Sequence, residues 1–173
     1  AVYQLFISSS TAFNKLLKIF RKAVELCRGN AYNNNMEKEM QNRITADIAA
    51  FRLPRYAQIP EVGLYLEQVV RYINARLAPL GEPELTGSMV SNYVKQKLVP
   101  APQKKLYTAE HLARLLFIAV VKPVVPLEGL RLMFSIQEEC YPLQTAYDYF
   151  CDEFENMLGA CLLYTSDAAD DLI

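Results

Sequence analysis

Nine prolines cut the middle of this chain into helix-sized pieces. Proline has no backbone N–H and disfavours helix at the residue before it, so each one limits how far a helix can run. Pro54 breaks the chain at Leu53, and Pro60 opens the next element. Pro79 and Pro83, with Gly81 between them, end a helix, Pro100 and Pro102 forbid one, and Pro123 stops another. Pro126 and Pro142 open the last two. Between the prolines, apolar residues recur at helical spacing. Leu66, Val69, Val70, Ile73 and Leu77 predict a helix over 62–77, with Glu67, Gln68, Arg71, Asn74 and Arg76 on its outer arc. Leu112, Leu115, Leu116, Ala119 and Val120 predict a helix after Thr108, where Glu110 suits the first turn. Leu143, Tyr147, Phe150, Phe154 and Leu158 form the spine of one over 142–158. Shorter helices are expected over 37–51 and 126–137. The expected fold is mainly α.

Residues 86–107 differ from the rest. Thr86 is the expected N-cap of a short helix over 87–97. Met89, Val90, Tyr93 and Val94 then face inward, and Ser88, Ser91, Asn92, Lys95 and Gln96 face outward. After it, Pro100 and Pro102 exclude helix, and alternation around 104–107 suits a small β-ribbon. A short helix followed by a basic ribbon is what a winged helix-turn-helix presents to duplex DNA.

The net charge of −1 hides a polarised chain. Residues 86–107 carry Lys95, Lys97, Lys104 and Lys105 and no acid. Residues 127–160 carry seven acids (Glu128, Glu138, Glu139, Asp148, Asp152, Glu153 and Glu155) against Arg131. Lysines facing phosphates release counterions, and this term supplies most non-specific affinity for DNA. Short polar groups such as those of Ser91 and Asn92 reach base edges or phosphate oxygens. A lysine cluster also suits an ordinary solvated face.

Other chemistry finds little support. Cys27, Cys140, Cys151 and Cys161 lack C-x-x-C spacing, so reduced, mostly buried thiols are expected, with no metal site. The lone histidine, His111, reads as a surface or boundary residue, not a base. There is no nucleophile elbow, P-loop or dinucleotide fingerprint, so neither enzyme activity nor a cofactor is expected. Asp152, Glu153 and Glu155 lack a spaced basic partner and read as a solvated face. The aromatic spine over 142–158 reads as core or as a subunit contact, which leaves room for a homodimer. No apolar run approaches the length of a membrane span, and a cytoplasmic protein is expected.

Both ends stand apart. Residues 161–170, Cys-Leu-Leu-Tyr-Thr-Ser-Asp-Ala-Ala-Asp, equal one reading frame of a common sequencing-library adapter, so 161–173 are expected to be an artefact of the encoding DNA. At the other end, Met36-Glu37-Lys38-Glu39-Met40 resembles a natural start, which makes 1–35 a leader or translated upstream DNA. Within it, Phe13, Leu16, Leu17, Phe20, Ala23 and Val24 nevertheless align on one helical face over 11–26. The start, Ala1-Val2-Tyr3-Gln4-Leu5-Phe6-Ile7, lacks a basic n-region and does not read as a signal peptide. Residues 36–60 are read as a helical lead-in and 61–160 as the winged-helix domain.

The run Ser91-Asn92-Tyr93-Val94-Lys95-Gln96-Lys97-Leu98-Val99-Pro100, followed by Lys105-Leu106-Tyr107-Thr108-Ala109-Glu110-His111-Leu112, resembles the start of MerR-like regulators. Pro126-Leu127-Glu128-Gly129-Leu130 resembles the opening of their next helix. A closer resemblance is to the bacterial domain-of-unknown-function family 1836. It is carried by Leu53-Pro54-Arg55-Tyr56, by the run from Val62 to Val70, by Pro79-Leu80-Gly81-Glu82-Pro83-Glu84-Leu85-Thr86, and by Ser91-Asn92-Tyr93-Val94-Lys95. The resemblance spans roughly 51–158. It departs from MerR-like proteins in the longer connection over 78–85 and in Asn92, where those proteins usually carry arginine.

These readings together predict a DNA-binding transcriptional regulator with double-stranded DNA as its partner. The contact set is Thr86, Ser88, Ser91, Asn92, Lys95 and Lys97 from the helix, and Gln103, Lys104, Lys105 and Tyr107 from the wing over 99–107. The alternative is a protein-interaction module on the same scaffold, using the aromatic helix over 141–154.

Overall fold

The computed structural model describes residues 46–81, 84–123 and 125–170. The helix expected over 11–26, and the first part of that expected over 37–51, lie outside the described residues, while 46–50 are helical. The chain divides into two compact units, Phe51–Glu155 and Ala1–Ala50 with Asn156–Ile173. Every candidate contact residue belongs to Phe51–Glu155.

The described part is mainly helical. In order come α1 (Leu66–Leu77), α2 (Gly87–Lys95), α3 (Ala109–Val121), α4 (Leu127–Cys140) and α5 (Leu143–Asp170), with 3-10 turns at Tyr56–Gln58 and Ala78–Leu80. Among the described residues no helix is long and apolar enough to cross a membrane.

α1 starts later than its periodicity predicts because Leu64 is engaged elsewhere. Leu64 and Tyr107 exchange backbone hydrogen bonds of 2.9 and 2.8 Å in an antiparallel bridge. Gly63 allows that approach: a Cβ there would sit 3.0 Å from the Cβ of Leu106. The side chain of Gln68 then accepts the N–H of Tyr65 at 2.9 Å and closes the first turn.

α1 packs against α2 and α3. α3 supplies the centre of the core, with Leu112, Leu115, Leu116 and Ile118 fully buried. Burying each such side chain stabilises the fold by about 1.5–3 kcal/mol. Asn74, predicted on the solvent arc of α1, is instead half-buried. Its Nδ2 donates to the carbonyl of Leu85 at 2.9 Å, and its Oδ1 accepts the N–H of Leu85 at 2.8 Å. The residue leading into α2 is thereby clamped to α1.

From α5, Tyr147, Phe150, Cys151 and Phe154 are buried. Phe150 meets Phe117 of α3 edge-on at 4.7 Å, and Phe154 meets Phe51 at 6.3 Å. The spine is thus core, and the surface left to an aromatic partner face is Tyr141 and Tyr149. Of the described thiols, Cys151 is buried as expected and Cys140 is exposed.

The acidic face of α5 is a correction to the sequence reading. Asp148, Asp152 and Glu155 share one face at helical spacing, and they grip residues 51–56. Arg55 donates to Glu155 Oε1 at 2.7 Å, to Glu155 Oε2 at 3.0 Å and to Asp152 at 2.7 Å. Leu53 N–H donates to Glu155 at 2.9 Å, and Tyr56 N–H to Asp148 at 2.7 Å. The basic partner lies about a hundred residues away in sequence, beyond the reach of any spacing rule. Burial alone would raise the Glu155 carboxyl, but the bonds from Arg55 and Leu53 hold it below its ordinary value.

Replacing Arg55 with methionine is expected to lower the unfolding free energy by roughly 2 kcal/mol. That is less than the roughly 3–5 kcal/mol of a fully buried pair, because Arg55 keeps 31% of its exposure. A depressed carboxyl contributes stability that is present above 4.5 and lost as the pH falls through its lower folded value. Denaturant melts of both proteins should therefore converge in acid, and an equal gap at neutral and acid pH would show that the pair contributes nothing.

Candidate nucleic-acid interface

Thr86 caps α2 as expected, its hydroxyl oxygen accepting the N–H of Met89 at 3.3 Å. On α2, Val90 and Tyr93 are buried, while Ser88, Asn92 and Lys95 are exposed. Ser91 departs from the prediction: it is half-buried, and its hydroxyl donates to the Gly87 carbonyl at 2.9 Å. That bond turns its donor back onto the helix.

The helix ends at Lys95, two residues before the predicted limit. Gln96 is the C-cap, and Lys97 adopts φ +59°. Leu98 N–H donates to Tyr93 O, and Lys97 N–H to Val94 O, both at 3.0 Å. This bond pair is the Schellman ending, whose left-handed residue is usually glycine. Tyr93 and Leu98, the positions whose apolar side chains usually meet at such an ending, are each 1% exposed.

No strand forms over 99–107 among the described residues, and the expected ribbon reduces to two isolated bridges, Gln103 with Leu106 and Leu64 with Tyr107. Alternation over so few residues supports a turn but not a ladder. Leu106 N–H donates to Gln103 O at 2.8 Å, and Lys104 and Lys105 between them have φ +50° and +66°. Two central residues at positive φ make the mirror-image turn normally built from Asn-Gly. Among the described residues, the non-glycine positions with positive φ are Lys97, Lys104 and Lys105. A left-handed backbone costs a residue with a Cβ about 1–2 kcal/mol. Each lysine therefore occupies a place where glycine would fit with less strain.

All four lysines are exposed, and so is Gln103. None forms an ion pair among the described residues. Tyr107 does not join them. It is 6% exposed, so its ring is part of the core and its backbone holds the bridge to Leu64. Lys105 also borders a shallow groove of about 620 Å³, whose other walls include Tyr65, Glu67, Gln68 and Pro102.

A family model described as Domain of unknown function (DUF1836) matches residues 54–150, more than half of the chain. The chain belongs to the DUF1836 family. No curated protein and no solved structure matches it.

The stretch matched to DUF1836 contains every predicted contact residue and also two cations outside the predicted contact set. Arg131 of α4 donates to Gln96 O at 3.3 Å and to Gln96 Oε1 at 3.1 Å. Lys122, just past α3, places its ammonium 5.5 Å over the Tyr93 ring. Both are exposed: Arg131 contacts Gln96, the C-cap of α2, and Lys122 lies over the ring of Tyr93 in the last turn of that helix. The negative end of the helix dipole favours cations there. Arg131 was legible only as the lone base of an acidic segment, and no local signal ties it to Gln96. The DUF1836 domain thus has two basic foci: the exit of α2 and the turn at Lys104 and Lys105.

Removing the strain gives a direct test. Lys97→Gly, and the pair Lys104→Asn with Lys105→Gly, are each expected to raise the unfolding free energy by about 0.5–1 kcal/mol, the left-handed penalty less glycine's added unfolded-state entropy. Denaturant midpoints check this, and a lower midpoint in both variants would show that the lysines carry no backbone strain.

Proposed function

We propose that this DUF1836 chain is a DNA-binding transcriptional regulator of winged helix-turn-helix, MerR-like type. In this reading α2 enters the major groove and the turn over 103–106 rests on the phosphate backbone. One observation carries it: lysine fills every non-glycine position of positive φ among the described residues. Strain persists where something other than stability maintains it, and such residues cluster at functional sites. A solvated surface has no need of lysine in place of the less strained glycine or asparagine. The chemistry that would use it is a polyanion, since phosphates reward fixed cations through counterion release.

The exit of α2 supports the same reading. Lys95 and Lys97 lie at that exit, Arg131 reaches the C-cap Gln96, and Lys122 contacts the ring of Tyr93. Ser88 and Asn92 sit exposed on the outer face of α2, with Thr86 at its start. Asn92 is the residue suited to base recognition, since an amide bonds adenine's N6 and N7 together. Lys104, Lys105 and Arg131 suit phosphate.

Fluorescence anisotropy on duplex DNA at a series of salt concentrations tests this. Binding is expected to weaken steeply with salt, and Lys104→Ala or Arg131→Ala to reduce the log–log slope by about 0.9 for each phosphate that the variant no longer neutralises. Asn92→Ala is expected to leave that slope alone and alter the preference among sequences. No binding to any duplex at low salt, or slopes untouched by either cation variant, would sink the assignment.

A further inference from the structure

His111 opens α3 and is 5% exposed, not the boundary residue its lone occurrence suggested. Its Nδ1 accepts the backbone N–H of Thr108 at 3.0 Å and lies 2.8 Å from the Thr108 hydroxyl. That N–H belongs to the N-cap, and the bond is one that Glu or Gln usually supplies from this position. A ring nitrogen that accepts an N–H carries no proton, so the neutral imidazole holds its hydrogen on Nε2. Nε2 is buried and meets no acceptor in full hydrogen-bond geometry, while the carbonyls of Ala101 and Pro100 lie near enough to favour a proton on the ring. The ring meets Tyr107 edge-on, with centroids 5.4 Å apart. Tyr107 is also the residue whose backbone exchanges both hydrogen bonds with Leu64. His111 thus joins the start of α3, the turn-bearing segment and the stretch before α1.

We propose that His111 is a pH-sensitive pin for residues 100–107: neutral, it holds that segment against the start of α3, and protonated, it lets the segment go. Protonation puts an N–H on Nδ1 opposite the N–H of Thr108, so the cap bond is lost and a donor is orphaned. It also sets a positive charge in a buried place at the positive end of a helix. The charged and titratable groups around the ring are Glu110 and Arg114 on α3 and Tyr107 on the released segment. Burial lowers the imidazole below its ordinary value of 6.5, while the carbonyls of Ala101 and Pro100 and the carboxylate of Glu110 raise it and Arg114 lowers it further. The net direction is downward. The released form therefore takes the proton more readily than the pinned form. The pin's stabilisation is fully present above 6.5 and is lost as the pH falls through the lower value of the pinned form.

The chain contains a single histidine, so the proton NMR signals of its ring follow this titration without competing resonances. The midpoint in the full chain is expected below 6.5, and a midpoint at or above 6.5 overturns the proposal. A second arm follows amide exchange at Leu64, Leu106 and Tyr107, whose N–H groups bond across the two bridges. Corrected for intrinsic rates, their protection is expected to fall by up to about tenfold between neutral pH and one unit below 6.5. His111→Gln keeps an acceptor for the Thr108 N–H and cannot titrate, so protection there is expected to stay level. Unchanged protection in the wild type, or an equal fall in the glutamine variant, overturns the proposal. These measurements use no nucleic acid, so their outcome is separable from that of the duplex titrations.

Discussion

Leu98 and Val99 are each 1% exposed and follow α2 with almost no connecting chain. To bury them the backbone must reverse within two residues of the helix end. The Schellman bonds from Leu98 and Lys97 make that reversal, and they oblige residue 97 to take a left-handed conformation. The hydrophobic gain from two buried side chains, about 1.5–3 kcal/mol each, exceeds the roughly 1–2 kcal/mol that the left-handed lysine costs. The rest of the basic surface follows from this turn. It directs the chain into the 100–107 segment, whose Tyr107 bridges to Leu64, and its C-cap Gln96 accepts from Arg131.

The charge asymmetry between 86–107 and 127–160 resolves into two separate uses. On α5, Asp148, Asp152 and Glu155 are engaged by Arg55 and by the backbone N–H groups of Leu53 and Tyr56. Glu138 and Glu110 approach the buried guanidinium of Arg114, at 2.8 and 3.4 Å. The partners of these carboxylates among the described residues are Arg52, Arg55, Arg114 and backbone N–H groups, not the four lysines. A nearly neutral chain can therefore present a local cationic surface without cancelling it from within.

Much of the helical plan was legible, since helical periodicity and proline both act over a few residues. The stripe of α1, the inward Leu112, Leu115 and Leu116 of α3, the Thr86 cap and the inward Val90 and Tyr93 follow from such patterns, whereas Ala119 and Val120 are only half-buried and Ile118 and Val121 are buried instead. Other assignments failed where a distant partner intervened. Asn74 left the solvent arc because Leu85 offered both a donor and an acceptor. Tyr107 left the contact set because its alternation with neighbours does not say which face the core occupies. Ser91 turned to the Gly87 carbonyl, a local bond open to a serine inside a helix. The ribbon shrank to two bridges because its turn closes after a single pair.

What residue order dictates unaided is where helices run, which of their faces are apolar, and that four lysines in 86–107 have no acid among them. These are short-range properties, set by backbone sterics and by side-chain spacing along one element. Packing decided the remainder: the left-handed backbone at Lys97, Lys104 and Lys105, the contacts of Arg131 with Gln96 and of Lys122 with the Tyr93 ring, and the burial of His111 under Tyr107. Each of these depends on closing the chain around a common core. The energy that holds a strained turn or buries an imidazole comes from contacts that exist only once separate elements have met.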